Sequence, residues 1–325
     1  MSPKRSIPLK ANIFKSKESM VVMDQLTRSW YEKAFECAFL RKKGDEFQKF
    51  FCDLMEKRFP DGDFIRVRPW GKSGDRKNDG YLKSQKKLFQ VYAPNEMTEA
   101  TALRKIEEDF NGALPYWEQH FTEWIFVHNG REGVGPGITK KLLDLDGENK
   151  QISVKSWGFE DLRRVLFELS EEDIAALLGP APSQRDFLQV GFSDLQVVLR
   201  AISRQQASPM PDLSQVPRDK IEINKLSGEV EVLINAGRFK SPLVRKFLEH
   251  YPDPEYGDQI VQAFKEKYDE LRRGDLAPDS IFRELQIFTG GELTQEPKHQ
   301  AAVLSVLAYL FDQCDIFESV GDEQR

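Results

Sequence analysis

The chain has 325 residues, 40% of them hydrophobic with 23 Phe, and a formal net charge of −6. That length suggests two domains, the apolar content excludes global disorder, and the acidic balance argues against a chain coated in nucleic acid. Cys37, Cys52 and Cys314 are odd in number, widely spaced and set in apolar helical patterns, which excludes a disulfide framework and a zinc site and predicts a cytoplasmic protein; no run approaches 18 apolar residues, so no membrane span is expected.

Residues 1 to 20 read as a polar arm. Apolar residues then recur at helical spacing from Met23 to Leu40 and from Phe47 to Phe59, predicting a helical pair. "FIRVR", "DGYL" and "LFQVY" are short strand candidates, the last two joined by the polar turn "KSQKK". Residues 97 to 119 read as a helix, "EWIFVHN" as a buried strand, "ITKKLLDL" as a helix, "ISVKSW" as a strand, and "FEDLRRVLFELSEEDIAALL" as one or two helices. This order predicts an α/β domain over 21–182, with a mixed sheet flanked by helices. From 183 to 325 the chain reads as a second, mostly α-helical domain. It has a Pro-punctuated stretch at 208–217, "IEINKLS" as a strand candidate, and helices at 243–249, 258–272, 279–289 and 298–313.

Several familiar motifs fail. "GKS" at 71–73 lacks the glycine that a phosphate loop needs five residues earlier, where Arg66 stands, so an ATPase is excluded. The glycines of "GREGVGPG" do not space as a dinucleotide fingerprint, which favours a plain turn. The four histidines form no HExxH, and no serine sits in a GxSxG elbow.

What remains is the hairpin "GDRKNDGYLKSQKKLFQVYAP". Between Arg66 and Lys87 stand eight Lys or Arg against two Asp, a local excess suited to a polyanion, with a solvated hairpin as the plain alternative. Strand alternation sends Gln90 and Tyr92 to one face, and the hairpin length brings Asp79 back beside Gln90. A carboxylate and a second oxygen a few Å apart are what a hydrolytic Mg²⁺ needs, together with a nearby cation. Glu46 lies on the edge of a helical apolar face, an unusual place for a carboxylate unless it serves a site or the helix dipole. Each residue also has an ordinary reading, Asp79 as a turn residue and Gln90 and Tyr92 as half-buried strand residues.

Glu46 on a helix, then Asp79-Gly80, then Gln90-x-Tyr92 resembles the PD-(D/E)XK restriction-endonuclease superfamily, in particular its Mrr-like members, over residues 44 to 130. The resemblance implies a restriction-endonuclease-like fold and Mg²⁺ (or Mn²⁺) bound by Asp79, Gln90 and Glu46. It also implies double-stranded DNA as substrate, with Lys72, Arg76, Lys86, Lys87 and Tyr92 facing it. The sequence departs from the pattern where the family has its catalytic lysine: Tyr92 occupies that position and carries no cation. Lys77, or Lys72 in the same loop, is the candidate to take over that task; otherwise the site is degenerate.

The segment 255–318, including "AAVLSVLAYLFDQCDIFE", resembles the C-terminal helical module of effector components in bacterial three-gene defence systems built around an ABC or SMC-like ATPase. Positions 301 to 311 are nearly all apolar, which predicts a helix buried on most sides, while Asp312, Asp315 and Glu318 leave room for a partner face. The joint expectation is an effector subunit: a metal-dependent DNA endonuclease docked through 183–325 on an ATPase partner. The alternatives are an inactive nuclease-fold scaffold that binds DNA and assembles partners and, more weakly, a nucleotide- or phosphoprotein-binding adaptor using "GREGVGPG". Assembly into a homo-oligomer is left open.

Overall fold

A computed structural model describes residues 23–67, 76–203, 220–274, 276–290, 296–313 and 317. The polar arm, "GKS", Lys72, the 208–217 stretch, Cys314, Asp315 and Glu318 lie outside the described residues.

The first helices follow the apolar spacing. Helix α1 (Gln25–Arg41) starts where Asp24 accepts a hydrogen bond from the Thr27 N–H at 3.0 Å, satisfying one of the free donors of a helix start. Helix α2 (Gly44–Arg58) buries Phe47, Phe50, Phe51, Leu54 and Met55 along one stripe. Strands β1 (Phe64–Arg66), β2 (Gly80–Leu82) and β3 (Lys87–Tyr92) form an antiparallel meander. After β3 the chain crosses over through α3 (Glu99–Trp117) to β4 (Glu123–His128), then through α4 (Pro136–Glu148) to β5 (Ser153–Trp157), both strands pairing in parallel. The result is one mixed five-stranded sheet in the order β1-β2-β3-β4-β5.

Alternation along the strands divides the core. Leu82, Phe89, Ile125 and Val127 face α1, α2 and α5 (Phe159–Leu166). Leu88, Trp124, Phe126 and Val154 face α3 and α4, packing on Ile106, Phe110, Ile138 and Leu142. Both faces of the sheet are therefore covered, as parallel crossovers require. Gly80 is dictated by packing: a Cβ there would run into the Phe64 ring.

Helix α6 (Glu171–Leu178) closes this part, and α7 (Gln184–Gln189) opens the helical half. That half comprises α8 (Phe192–Ser203), α9 (Lys220–Ile223), α10 (Gly228–Arg238), α11 (Ser241–Glu249), α12 (Tyr256–Arg273), α13 (Pro278–Phe288) and α14 (Pro297–Gln313). Helix α14 is its axis, and residues 301 to 311 are buried apart from the half-buried Tyr309, apolar except for Ser305. "IEINKLS" is not a strand. It forms the short helix α9, whose Lys220 carbonyl accepts from the Asn224 backbone N–H at 3.2 Å and from the Asn224 side-chain amide at 2.8 Å, followed by a left-handed turn at Lys225 (φ 52°) and the Ser227 cap of α10. Asp312 is engaged within the bundle, its carboxylate accepting from Arg238 Nη2 at 2.7 Å and Nε at 3.0 Å.

The two halves share packing. Helix α1 lies against α10 and α6, and a single apolar cluster runs from Trp30 and Phe35 to Leu304 and Phe311. Lys33 pairs with Asp279, and Arg41 with Glu284 at 2.8 Å, across the same junction. Among the described residues no helix is long and apolar enough to cross a membrane.

Candidate metal and DNA site

The hairpin register pairs Gly80 with Phe89, which sets Asp79 opposite Gln90, and the Asp79 N–H donates to the Phe89 carbonyl at 3.0 Å. Both side chains are sunk in the protein, Asp79 at 3% and Gln90 at 4% exposure. The Asp79 carboxylate is held on two sides: Oδ1 accepts from Gln48 Nε2 at 2.6 Å and Oδ2 from the Val91 N–H at 2.7 Å. Gln90 Oε1 is buried with no hydrogen-bond partner among the described residues, as are both Oδ1 and Nδ2 of the fully buried Asn78. Leaving one such group unpaired costs about 1–3 kcal/mol, and three such atoms stand on Asn78, next in sequence to Asp79, and on Gln90, opposite it in the hairpin register.

The cations of the hairpin divide between its two ends. Lys77 Nζ pairs with Asp109 Oδ1 on α3 at 2.9 Å, and Lys105 Nζ, one turn earlier on the same helix, pairs with the same oxygen at 2.9 Å. Arg76 lies over the Tyr116 ring at 4.7 Å, and its carbonyl accepts from Trp117 Nε1 at 3.1 Å. Arg76 and Lys77 both adopt left-handed backbone, φ 55° and 61°, a conformation costing about 1–3 kcal/mol at each non-glycine position unless the surroundings impose it. The contacts to α3 impose it here. Lys86 and Lys87 stand at the turn, at least three residues from Gln90, about 10 Å at the usual strand rise. Lys87 pairs with Glu123 at 3.3 Å and lies over the Trp157 ring at 5.6 Å. Tyr92 shares the face of Gln90, half-buried with its ring 5.9 Å from that of Phe126.

Glu46 is exposed in the first turn of α2; the residue of that helix which reaches Asp79 is Gln48. Gln48, Asn78, Lys105 and Asp109 are members of this neighbourhood that the sequence reading passed over. Asp109 had a readable mark, since it occupies the stripe of Ala102, Ile106 and Ala113, where a carboxylate is out of place unless it is paired.

Among the described residues no group of three or more His, Cys, Asp or Glu side chains converges to hold a metal. The donor set at the corner is therefore hard and thin: one carboxylate, one amide oxygen and the Asn78 amide. That composition fits Mg²⁺ or Mn²⁺, which take a few protein oxygens and complete their shell with water and substrate phosphate, and does not fit Zn²⁺.

The other candidates serve the fold. Cys52 donates to the Asp79 carbonyl at 3.7 Å, and burial pushes its thiol up to about 12, so it is no nucleophile. The start of α4 beyond "GREGVGPG" receives the Glu99 carboxylate, 3.3 Å from the Gly137 N–H, so an internal anion holds the position a bound phosphate would need. His128 accepts from the Gly130 N–H at Nδ1 and packs on Gly158; burial holds its pKa down at about 4 against an ordinary 6.5. The unfolded chain thus takes up a proton before the folded one, and stability present above pH 6.5 drains away as pH falls towards 4. The full loss is on the order of 3 kcal/mol. In thermal melts across that window, His128→Asn, which keeps an acceptor for Gly130, should flatten the fall; an unchanged pH profile would assign the loss to other groups.

Comparison with known proteins bears on the helical half. No curated protein and no solved structure matches the chain. Residues 193–318 match the family model of C-terminal domain 10 of the ABC-three component (ABC-3C) systems, which extends over α8 to α14.

Proposed function

We propose that the chain is the effector of an ABC-three component defence system, in which the α/β half is a restriction-endonuclease-like, Mg²⁺- or Mn²⁺-dependent DNA endonuclease and the helical half docks on an ABC or SMC-like ATPase. The observation that carries the catalytic part is the Asp79–Gln90 pairing, a fixed buried carboxylate opposite, in the hairpin register, a residue whose amide oxygen is buried without a partner among the described residues. The match of residues 193–318 supports the assignment to the system and, with it, protein partners. A meander followed by two parallel crossovers is compatible with the nuclease fold.

In this reading Asp79 and Gln90 Oε1 would hold the metal, with Glu46, the exposed member of the expected set, acting only from its water shell. When bound, the metal supplies an acidified water and neutralises charge on the phosphodiester. Gln48 and the Val91 N–H hold the Asp79 carboxylate in place and aimed, so that little reorganisation is needed on binding. Lys77 stands two residues from Asp79, anchored on Asp109, and is placed to orient the scissile phosphate in the absence of a lysine at 92. Arg76, Lys86 and Lys87, with Lys72 and Tyr92, would extend the contact along the duplex backbone.

The alternative is a nuclease-fold scaffold that binds DNA and assembles partners. It is favoured by the thin donor set and by Tyr92, which packs on Phe126 and offers no ammonium. Supercoiled plasmid incubated with the full chain, alone and with the ATPase of its own system, separates the readings: nicking or linearisation in Mg²⁺ or Mn²⁺, absent in chelator, is expected. Intact plasmid in every mixture that retains partner binding would establish the scaffold.

A further inference from the structure

The last turn of helix α3 presents rings that the core does not bury. Tyr116 is 53% exposed, and the Arg76 guanidinium lies over its ring at 4.7 Å. That guanidinium is itself exposed and meets no carboxylate among the described residues, whereas Lys77 beside it pairs with Asp109. Three hydrogen bonds hold the surroundings still: Trp117 Nε1 donates to the Arg76 carbonyl at 3.1 Å, the His120 N–H to the Trp117 carbonyl at 2.7 Å, and the Tyr81 hydroxyl to the His120 carbonyl. The exposed His120 ring stands 6.4 Å from that of Trp117. Arg76 occupies its place in left-handed backbone, φ 55°, a conformation that a non-glycine residue keeps only where the surroundings over-determine it. Glu118, the acid next along the chain, is two positions from Tyr116 and so projects from the other side of the helix.

A planar guanidinium resting on an aryl ring can stack a second flat group on its outer face, and a charge unmatched by a carboxylate favours a flat group that comes with anions. Nucleobases on a phosphate backbone combine the two. In a duplex their faces are covered by their neighbours, so the group that can reach this surface is an unpaired base. We infer that Arg76, backed by Tyr116, is a stacking site for an unpaired base of a single DNA strand, with Trp117 and His120 fixed beside it as the rest of the platform. Arg76 is three residues from Asp79, at most about 11 Å along the chain, so the base is held near the Asp79–Gln90 corner. This goes beyond the duplex-backbone contact proposed above for Arg76, and the binding requires neither metal nor cleavage.

The test is therefore made in chelator. Oligothymidylate and an abasic strand of equal length, which has the same phosphates without the bases, are titrated into the full-length chain and into Arg76→Lys, Tyr116→Leu, Tyr116→Phe and, as a remote exposed ring, Phe239→Leu. The parent should bind the base-bearing strand about tenfold more tightly than the abasic one. Arg76→Lys keeps the charge and loses the flat face, so it should bring the two strands to within about twofold of each other while leaving the slope of log affinity against log salt unchanged. Tyr116→Leu, which removes the ring under the guanidinium, should do the same, whereas Tyr116→Phe and Phe239→Leu should behave as the parent does. Equal binding of the two strands by the parent, or no binding of either, overturns the proposal. So does retention of the preference by Arg76→Lys or by Tyr116→Leu, since the base would then rest elsewhere. If the preference is found and lost as expected while plasmid is never cleaved, the stacking site stands and the endonuclease reading falls. If plasmid is cleaved and the parent shows no preference for bases, the reverse holds.

Discussion

Asp79→Asn should lower metal-dependent plasmid cleavage by on the order of a hundredfold or more while leaving the protein folded, because it removes the one fixed carboxylate of the corner. Asparagine can keep both structural bonds: its Oδ1 accepts from the Val91 N–H, and its Nδ2 donates to Gln48 once that amide turns over. Asp79→Ala should be equally inactive and less stable by about 1–3 kcal/mol, since it strands the Val91 N–H and the Gln48 amide. The two variants thus separate chemistry from structure. Cleavage by Asp79→Asn at the parent rate would remove Asp79 from the mechanism, whatever the stability of the alanine variant.

The second large effect lies in the helical half. At Gly237 helix α10 crosses α14 so closely that a Cβ would stand 2.7 Å from the Leu304 carbonyl carbon and 2.9 Å from the Ala308 Cβ, in contact with the Leu304 carbonyl oxygen as well. The obstacle is backbone, which cannot rotate aside. Gly237→Ala gains up to about 1 kcal/mol of helix propensity, but forcing apart two helices whose facing residues are all buried costs about 1–3 kcal/mol and takes contacts from Leu304, Leu233 and Ile234. Urea unfolding should show a net destabilisation of about 2 kcal/mol. Gly257→Ala on α12, with nothing within 4 Å of the added carbon, should be neutral or slightly stabilising. Equal behaviour of the two variants would mean that the helices do not meet at Gly237.

Where the sequence could be read, one physical pattern dominated. Helix α14 is apolar at nearly every position from 301 to 311, and a helix of that kind is buried on most sides as an axis. Strand β4 is a short apolar run between helical patterns, which parallel crossovers produce. Asp79 and Gln90 could be paired because strand alternation and hairpin length leave little freedom. The remainder depends on contacts between elements distant in sequence. Glu46 and Gln48 lie on different sides of one helix, and only the docking angle of α2 decides that Gln48 meets Asp79. Lys77 and Asp109 are 32 positions apart, so their pairing is set by the packing of α3 on the sheet. "IEINKLS" carries two isoleucines in alternation, but the Ser227 cap and the Asn224 bond to Lys220 make helix on both sides of a turn.

The Asp79–Gln90 corner is the proposed divalent-metal site. Calorimetric titration of Mn²⁺ into the full-length chain and into Asp79→Asn tests it without waiting for a substrate. One site per chain in the parent, weakened at least about tenfold in the variant, is the predicted result. Identical heats from the two proteins would contradict it and leave the corner a structural joint between β2, β3 and α2.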